Sequence, residues 1–126
     1  MEPHYRAPTA LESAIVRRIL SVEQTFSALL AQVQDMEVAT LDEYGSIAIR
    51  TSPGWGPAAR GRLRRISPVG RCVDADGVPI EFLLFASGGL LVELEILRVD
   101  GGPILAPLRA DALEVDVLPP TKLPPQ

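Results

Sequence analysis

Histidine, cysteine and lysine each occur once in this 126-residue chain, as His4, Cys72 and Lys122. Those scarcities exclude chemistry. His4 sits in a proline-containing lead-in, so a Ser–His–Asp or Cys–His site has no well-placed base. One histidine and one cysteine cannot make a zinc site of the usual Cys/His type within one chain. A lone cysteine forms no internal disulfide, which suits a reducing compartment. Cys72 alternates with Arg71 and Val73 in a strand pattern, so it reads as a buried, inert thiol. Only the flanking arginine argues for a lowered thiol pKa.

Long apolar runs are also missing. The longest uncharged one, "FLLFASGGLLV" (82–92), is too short to span a bilayer and is broken by two glycines. The start, "MEPHYRAPTA", lacks the basic and apolar regions of a signal peptide. These features predict a cytoplasmic protein without a membrane partner. The net charge of −4 disfavours non-specific binding to nucleic acid. The 47% hydrophobic content is enough for a buried core.

Known motifs fail one by one. "DADG" (74–77) resembles the start of a calcium loop, but Phe85 occupies loop position 12, where a glutamate is needed. "GWGPAARG" (54–61) lacks the Gly-Lys-Ser/Thr ending of a phosphate loop. Glu93 and Glu95 lie on one side of a predicted strand, roughly 7 Å apart, where acid–base work or metal binding is conceivable. No nucleophile or third ligand accompanies them. The sequence points to no catalytic residue, metal or cofactor.

What is present is clear periodicity. "TALE" (9–12) has the capping-box pattern, and Leu11, Ile15, Val16, Ile19 and Leu20 follow at helical spacing. "SVEQ" (21–24) repeats the box ahead of Val22, Phe26, Leu29, Leu30 and Val33. Either one helix covers 10–33 or two helices break at Ser21. The period then falls to two. "MEVATL" (36–41) and "SIAIRT" (46–51) flank the turn "DEYG", and "VGRCV" (69–73) and "VPIEFLLFA" (78–86) flank "DADG". "RLRRI" (62–66) reads as a short edge strand or arm. "SGG" (87–89) turns into "LLVELEILRV" (90–99), with Val92, Leu94 and Ile96 on one side and Glu93 and Glu95 on the other. "LEVDV" (113–117) supplies a last strand. Helices followed by a strand meander predict an α+β fold: one or two N-terminal helices on one face of an antiparallel sheet of about five to six strands. Ile15, Ile19, Phe26 and Leu30 should pack on Val92, Leu94 and Ile96. Residues 1–117 form a single domain on this reading, and the proline-rich 118–126 a flexible tail.

The "DEYGSIAI" and "DADGVPIEFLLF" hairpins, "LVELEILRVDGGPI" and "LEVDV" together resemble a group of short uncharacterised bacterial proteins. The resemblance covers roughly 10–117. It implies a small α+β fold without a known activity and carries no functional residues.

Charge is unevenly divided. From Tyr44 to Val73 there is no acid but there are six arginines, giving +6 there and −10 elsewhere. Four of them, Arg60, Arg62, Arg64 and Arg65, fall within six residues, close to the only tryptophan, Trp55. Three readings follow. The arginines can face Glu93, Glu95, Asp74 or Glu81 across strands. Or Trp55, Arg60, Arg62, Arg64 and Arg65 bind a partner, since Trp and Arg are enriched at binding hot spots. Nucleic acid is the least favoured: few phosphates would be neutralised, and only Trp55 and Tyr44 are placed to stack on a base. The leading expectation is a non-enzymatic protein-interaction module, with a toxin-neutralising, immunity-like protein as one concrete form. A homodimer joined through the basic segment and the acidic strand face is a related form. The alternative is a small anionic-ligand binder or enzyme, with a pocket between helices and sheet anchored by Arg64 or Arg65.

Overall fold

The computed structural model describes residues 4–51 and 63–118. The first helix, α1 (Ala10–Leu20), starts where the sequence says it should. Thr9 Oγ1 accepts from the Glu12 N–H at 3.1 Å, and Glu12 Oε1 accepts from the Thr9 N–H at 2.8 Å, closing the capping box. Arg6 extends it, donating to both Glu12 carboxylate oxygens at 2.8 and 2.9 Å.

The break at Ser21 is present, but for a different reason than a second capping box. Ser21 ends α1, with its N–H and hydroxyl both donating to the Arg17 carbonyl, and the following segment has no side-chain cap. A single 3-10 turn (Gln24–Phe26) leads into α2 (Ser27–Gln32), and another (Val33–Asp35) leads out.

Six strands follow: β1 (Glu37–Thr40), β2 (Ile47–Arg50), β3 (Arg64–Val73), β4 (Pro79–Ser87), β5 (Leu90–Arg98) and β6 (Glu114–Val117). They form one antiparallel sheet in the order β1-β2-β5-β4-β3-β6. The fold is α+β. Positive φ falls where the turns require it, at Gly45 and Gly77 and at the adjacent Gly88 and Gly89 of the β4–β5 hairpin.

The described helices cover one face. Ile15, Val16, Ile19 and Leu20 of α1 and Val33 bury with Val38, Ile47, Ile49, Ile80, Phe82, Leu84, Leu94 and Ile96 of the sheet. Gly70 leaves little room beneath α1: a Cβ placed there would lie 3.4 Å from Ile19 Cδ1 and 3.2 Å from Phe82 Cβ.

Two irregularities correct the sequence reading. "RLRRI" is not a separate strand. Arg64 and Arg65 begin the ten-residue β3, where they pair with β4 alone, and β6 joins the other side of β3 only at Pro68–Arg71. A register shift between Arg65 and Val69 absorbs Pro68, whose missing N–H cannot join the β4 ladder. The second shift lies between β4 and β5, where Phe85 pairs with Glu93 but Ala86 pairs with Leu91. Val92 is the extra residue, so Leu91 rather than Val92 joins the core beside Leu94 and Ile96.

Candidate functional site

The same register that fills the helix side defines the other face. Rows of paired residues run across it: Arg65, Phe85, Glu93 and Ala48 in one, Asp116, Val69, Leu83 and Glu95 in the next, and Glu114, Arg71, Glu81 and Leu97 in a third. Ala39, Ala48, Val69 and Val92 are buried yet stand apart from the helix-side core. Leu83, Phe85 and Leu97 are half-buried and likewise stand apart from it. Apolar groups thus alternate with carboxylates and guanidinium groups on a sheet face that no described helix packs on.

Its electrostatics are specific. Arg71 Nη2 donates to Glu81 Oε2 at 2.8 Å, the cross-strand pairing expected from charge division, and Asp116 and Glu114 add to its field. At the far edge Arg50 donates to Glu37 at 2.7 Å and lies over the Tyr5 ring, 4.2 Å from its centroid. Burial pushes the Glu95 carboxyl above the usual carboxylate range, and the charges of Glu93 and Asp42 push it further. Among the described residues no group of His, Cys, Asp and Glu is arranged to hold a metal ion.

The candidate residues from the sequence are only partly placed. Trp55, Arg60 and Arg62 lie outside the described residues. Arg64 is exposed at the start of β3, and Arg65 follows on the face opposite the helices, opposite Phe85 and donating to the Ile66 carbonyl at 3.0 Å. Tyr44 is no stacking platform. Its ring packs on the core edge, and its hydroxyl hydrogen is shared between the Gly101 and Gly102 carbonyls at 2.9 and 3.0 Å.

Asp74 pairs with an arginine the sequence reading passed over. Arg98 continues the core-side alternation of Leu94 and Ile96 and is buried, with 6% of its side chain exposed. Its guanidinium donates to Asp74 at 2.7 Å, to Asp76 at 2.6 and 3.1 Å, to Asp100 at 2.8 and 3.0 Å, and to the Pro103 carbonyl at 3.1 Å. The acids come from the two turns "DADG" and "DGG", so the arginine ties two turns together. Asp74 also accepts from the Leu105 and Ala106 N–H groups at 2.8 and 3.0 Å. Burial alone would raise Asp74; the N–H donors and Arg98 outweigh it and bring its pKa to about 2. The arrangement is a fully satisfied fastening for the 100–106 loop rather than a reactive centre.

Beside it, Cys72 lines a cleft of about 130 Å³ with Asp74, Ile80, Leu108 and Arg109. Burial, and then the Asp74 charge, raise the thiol pKa. That overturns the argument for a lowered value from Arg71: the arginine is paired to Glu81 on the other face.

A family model described as a domain of unknown function (DUF6984) matches residues 5–107. The chain belongs to this family. The matched segment holds both helices, β1 to β5 and the Arg98 fastening, while β6 lies beyond it. No curated protein matches, and no solved structure matches. No described helix is long and apolar enough to cross a membrane.

Proposed function

We propose that this protein is a non-enzymatic interaction module that binds a protein partner through the sheet face opposite its helices. The observation that carries this reading is the alternation of Leu83, Phe85 and Leu97 with Arg65, Glu81, Glu93 and Glu95 on that face. A half-buried aromatic among charges of both signs, on a rigid six-stranded sheet, provides an apolar anchor and orienting polar groups together. Glu93 and Glu95, which as a bare pair invite acid–base chemistry, serve here as the acidic part of that surface. Neutralisation of a toxin in the bacterial cytoplasm is one form of the activity, suggested by small size and acidity.

The ligand-binding alternative has less support. Ile19, Phe82, Leu84 and Leu94 fill the space between α1 and the sheet, and Arg65 lies on the opposite side.

The test is site-specific crosslinking. A photoreactive residue replacing Leu83 should capture a protein partner in the native host, and the same residue replacing exposed Gln34, on the helical side, should not. Capture that is equal from both positions would count against the proposal.

A further inference from the structure

The two edges of the sheet are treated differently. At β1 the N-terminal segment adds a bridge: the Arg6 N–H donates to the Val38 carbonyl and the Val38 N–H to the Arg6 carbonyl, both at 2.8 Å. At the other edge β6 pairs with β3, and among the described residues nothing pairs with its far side.

The register shows which groups that edge presents. In an antiparallel ladder, opposed residues alternate between pairs that exchange backbone hydrogen bonds and pairs whose N–H and C=O point away from each other. The Leu118 N–H donates to the Ser67 carbonyl at 2.8 Å. Continuing from there, Asp116 with Val69 and Glu114 with Arg71 are the bonded pairs, and Val117 with Pro68 and Val115 with Gly70 are the open ones. The outward N–H and C=O groups therefore belong to Val115 and Val117. The edge is also held in shape. Arg18 of α1 donates to the Leu113 carbonyl at 3.1 and 3.3 Å just before β6, and Ser67 holds Leu118 just after it. A pre-formed strand loses little further freedom on pairing.

Charge and burial specify what fits. On the face away from the helices β6 displays Glu114 and Asp116, both exposed, and Arg71, opposite Glu114 in the ladder, is already held by Glu81. On the helix side Val115 is half-buried and Val117 is 42% exposed. A second copy pairing β6 to β6 about a two-fold axis would set acids against acids on one face, which is unfavourable. We propose that the β6 edge accepts an extended strand from a protein partner, with lysine or arginine at alternate positions facing Glu114 and Asp116 and small apolar residues between them. Recognition is by strand addition: backbone bonds to Val115 and Val117 supply affinity, and the acids supply selectivity. The proposal rests on reading the protein as an interaction module.

The probe is a capped nine-residue peptide of alternating valine and lysine, compared with one of alternating valine and glutamate. Amide exchange of the full-length protein is followed residue by residue. Binding of the lysine peptide should slow exchange at Val115 and Val117 at least tenfold, and the glutamate peptide should not. Val115→Pro removes an outward N–H without touching the β3 ladder, a substitution edges accept, and should weaken the lysine peptide at least tenfold. Glu114→Lys with Asp116→Lys should reverse the preference and does not depend on a proline fold. Absence of slowing, binding indifferent to both variants, or protection of Val115 and Val117 by self-association in sedimentation would each overturn the proposal. A natural partner lost in Phe85→Thr but kept by Val115→Pro would overturn the edge and leave the interaction reading standing.

Discussion

Substituting Gly70 by alanine tests how closely α1 lies on the sheet. The new Cβ would sit 3.2 Å from Phe82 Cβ and 3.4 Å from both Ile19 Cγ1 and Ile19 Cδ1. Comfortable carbon–carbon contact is about 3.5–4.0 Å. Phe82 is 1% exposed in the central strand β4, so its Cβ moves only if the backbone moves. The Ile19 side chain has more freedom but is fully buried. Overpacking of this kind costs about 1–3 kcal/mol. Removing a glycine from the unfolded chain returns about 0.4–1 kcal/mol. The net expectation is a loss of about 1 kcal/mol, or roughly 4 °C in Tm for a domain of this size. Gly70→Val should lose more, since it adds branches to the same gap. Ile19→Val removes Cδ1 and so eases part of the crowding, leaving the Cγ1 and Phe82 Cβ contacts in place. Alone it should cost about 1 kcal/mol, and in the Gly70→Ala background clearly less, a coupling of at least about 0.5 kcal/mol. Urea unfolding followed by far-UV circular dichroism measures the parent and the four variants. Gly70→Ala as stable as the parent, with the two substitutions strictly additive, would refute this packing of α1.

Further outcomes follow from the charged groups and the thiol. Arg98→Met should free the 100–106 loop, read as faster amide exchange at Leu105 and Ala106 with little change in β1. Asp74 and Asp100 both have folded pKa values of about 2, below their ordinary 3.8. Their stabilisation is therefore complete above about pH 4 and is lost as pH falls towards 2; Asp74→Asn should make the acid-induced fall in Tm shallower. Glu95 has the opposite sign. Its folded pKa is raised, so its ionisation opposes folding above that value, and Glu95→Gln should raise Tm at pH 7 and leave it unchanged near pH 3. Cys72, half-buried with a raised pKa, should react with a maleimide at pH 7 more slowly than free cysteine, and at the free rate in urea.

Local signals in the sequence carried much of the fold. Thr9 and Glu12 marked a helix start because both capping bonds are made within four residues. The glycines at 45, 77 and 88–89 marked hairpins because their turns need positive φ. Period-two alternation separated Glu93 and Glu95 from Leu94 and Ile96. Information that depends on distant pairing was harder to read. The extra residue at Val92 appears only when β4 is laid beside β5, and it moves Leu91 into the core. "RLRRI" and "VGRCV" read as separate segments, and only the register shift opposite β4, which accommodates Pro68, joins them into one strand. Arg98 and Asp74 stand 24 residues apart and meet because the Ile80–Arg98 register brings the two turns together. Of the proposed contact residues, Arg65 was placed by its parity with Phe85, a relation that needs the strand partner. Trp55, Arg60 and Arg62 lie outside the described residues.

The central claim is that the sheet face around Phe85 is the contact surface. Affinity capture from the native host with the parent chain and with Phe85→Thr, matched for Tm and circular dichroism, tests it most directly. Threonine keeps strand propensity and removes the aromatic anchor. The account predicts a stoichiometric partner with the parent that is reduced at least tenfold with the variant. Equal recovery with both proteins would contradict it.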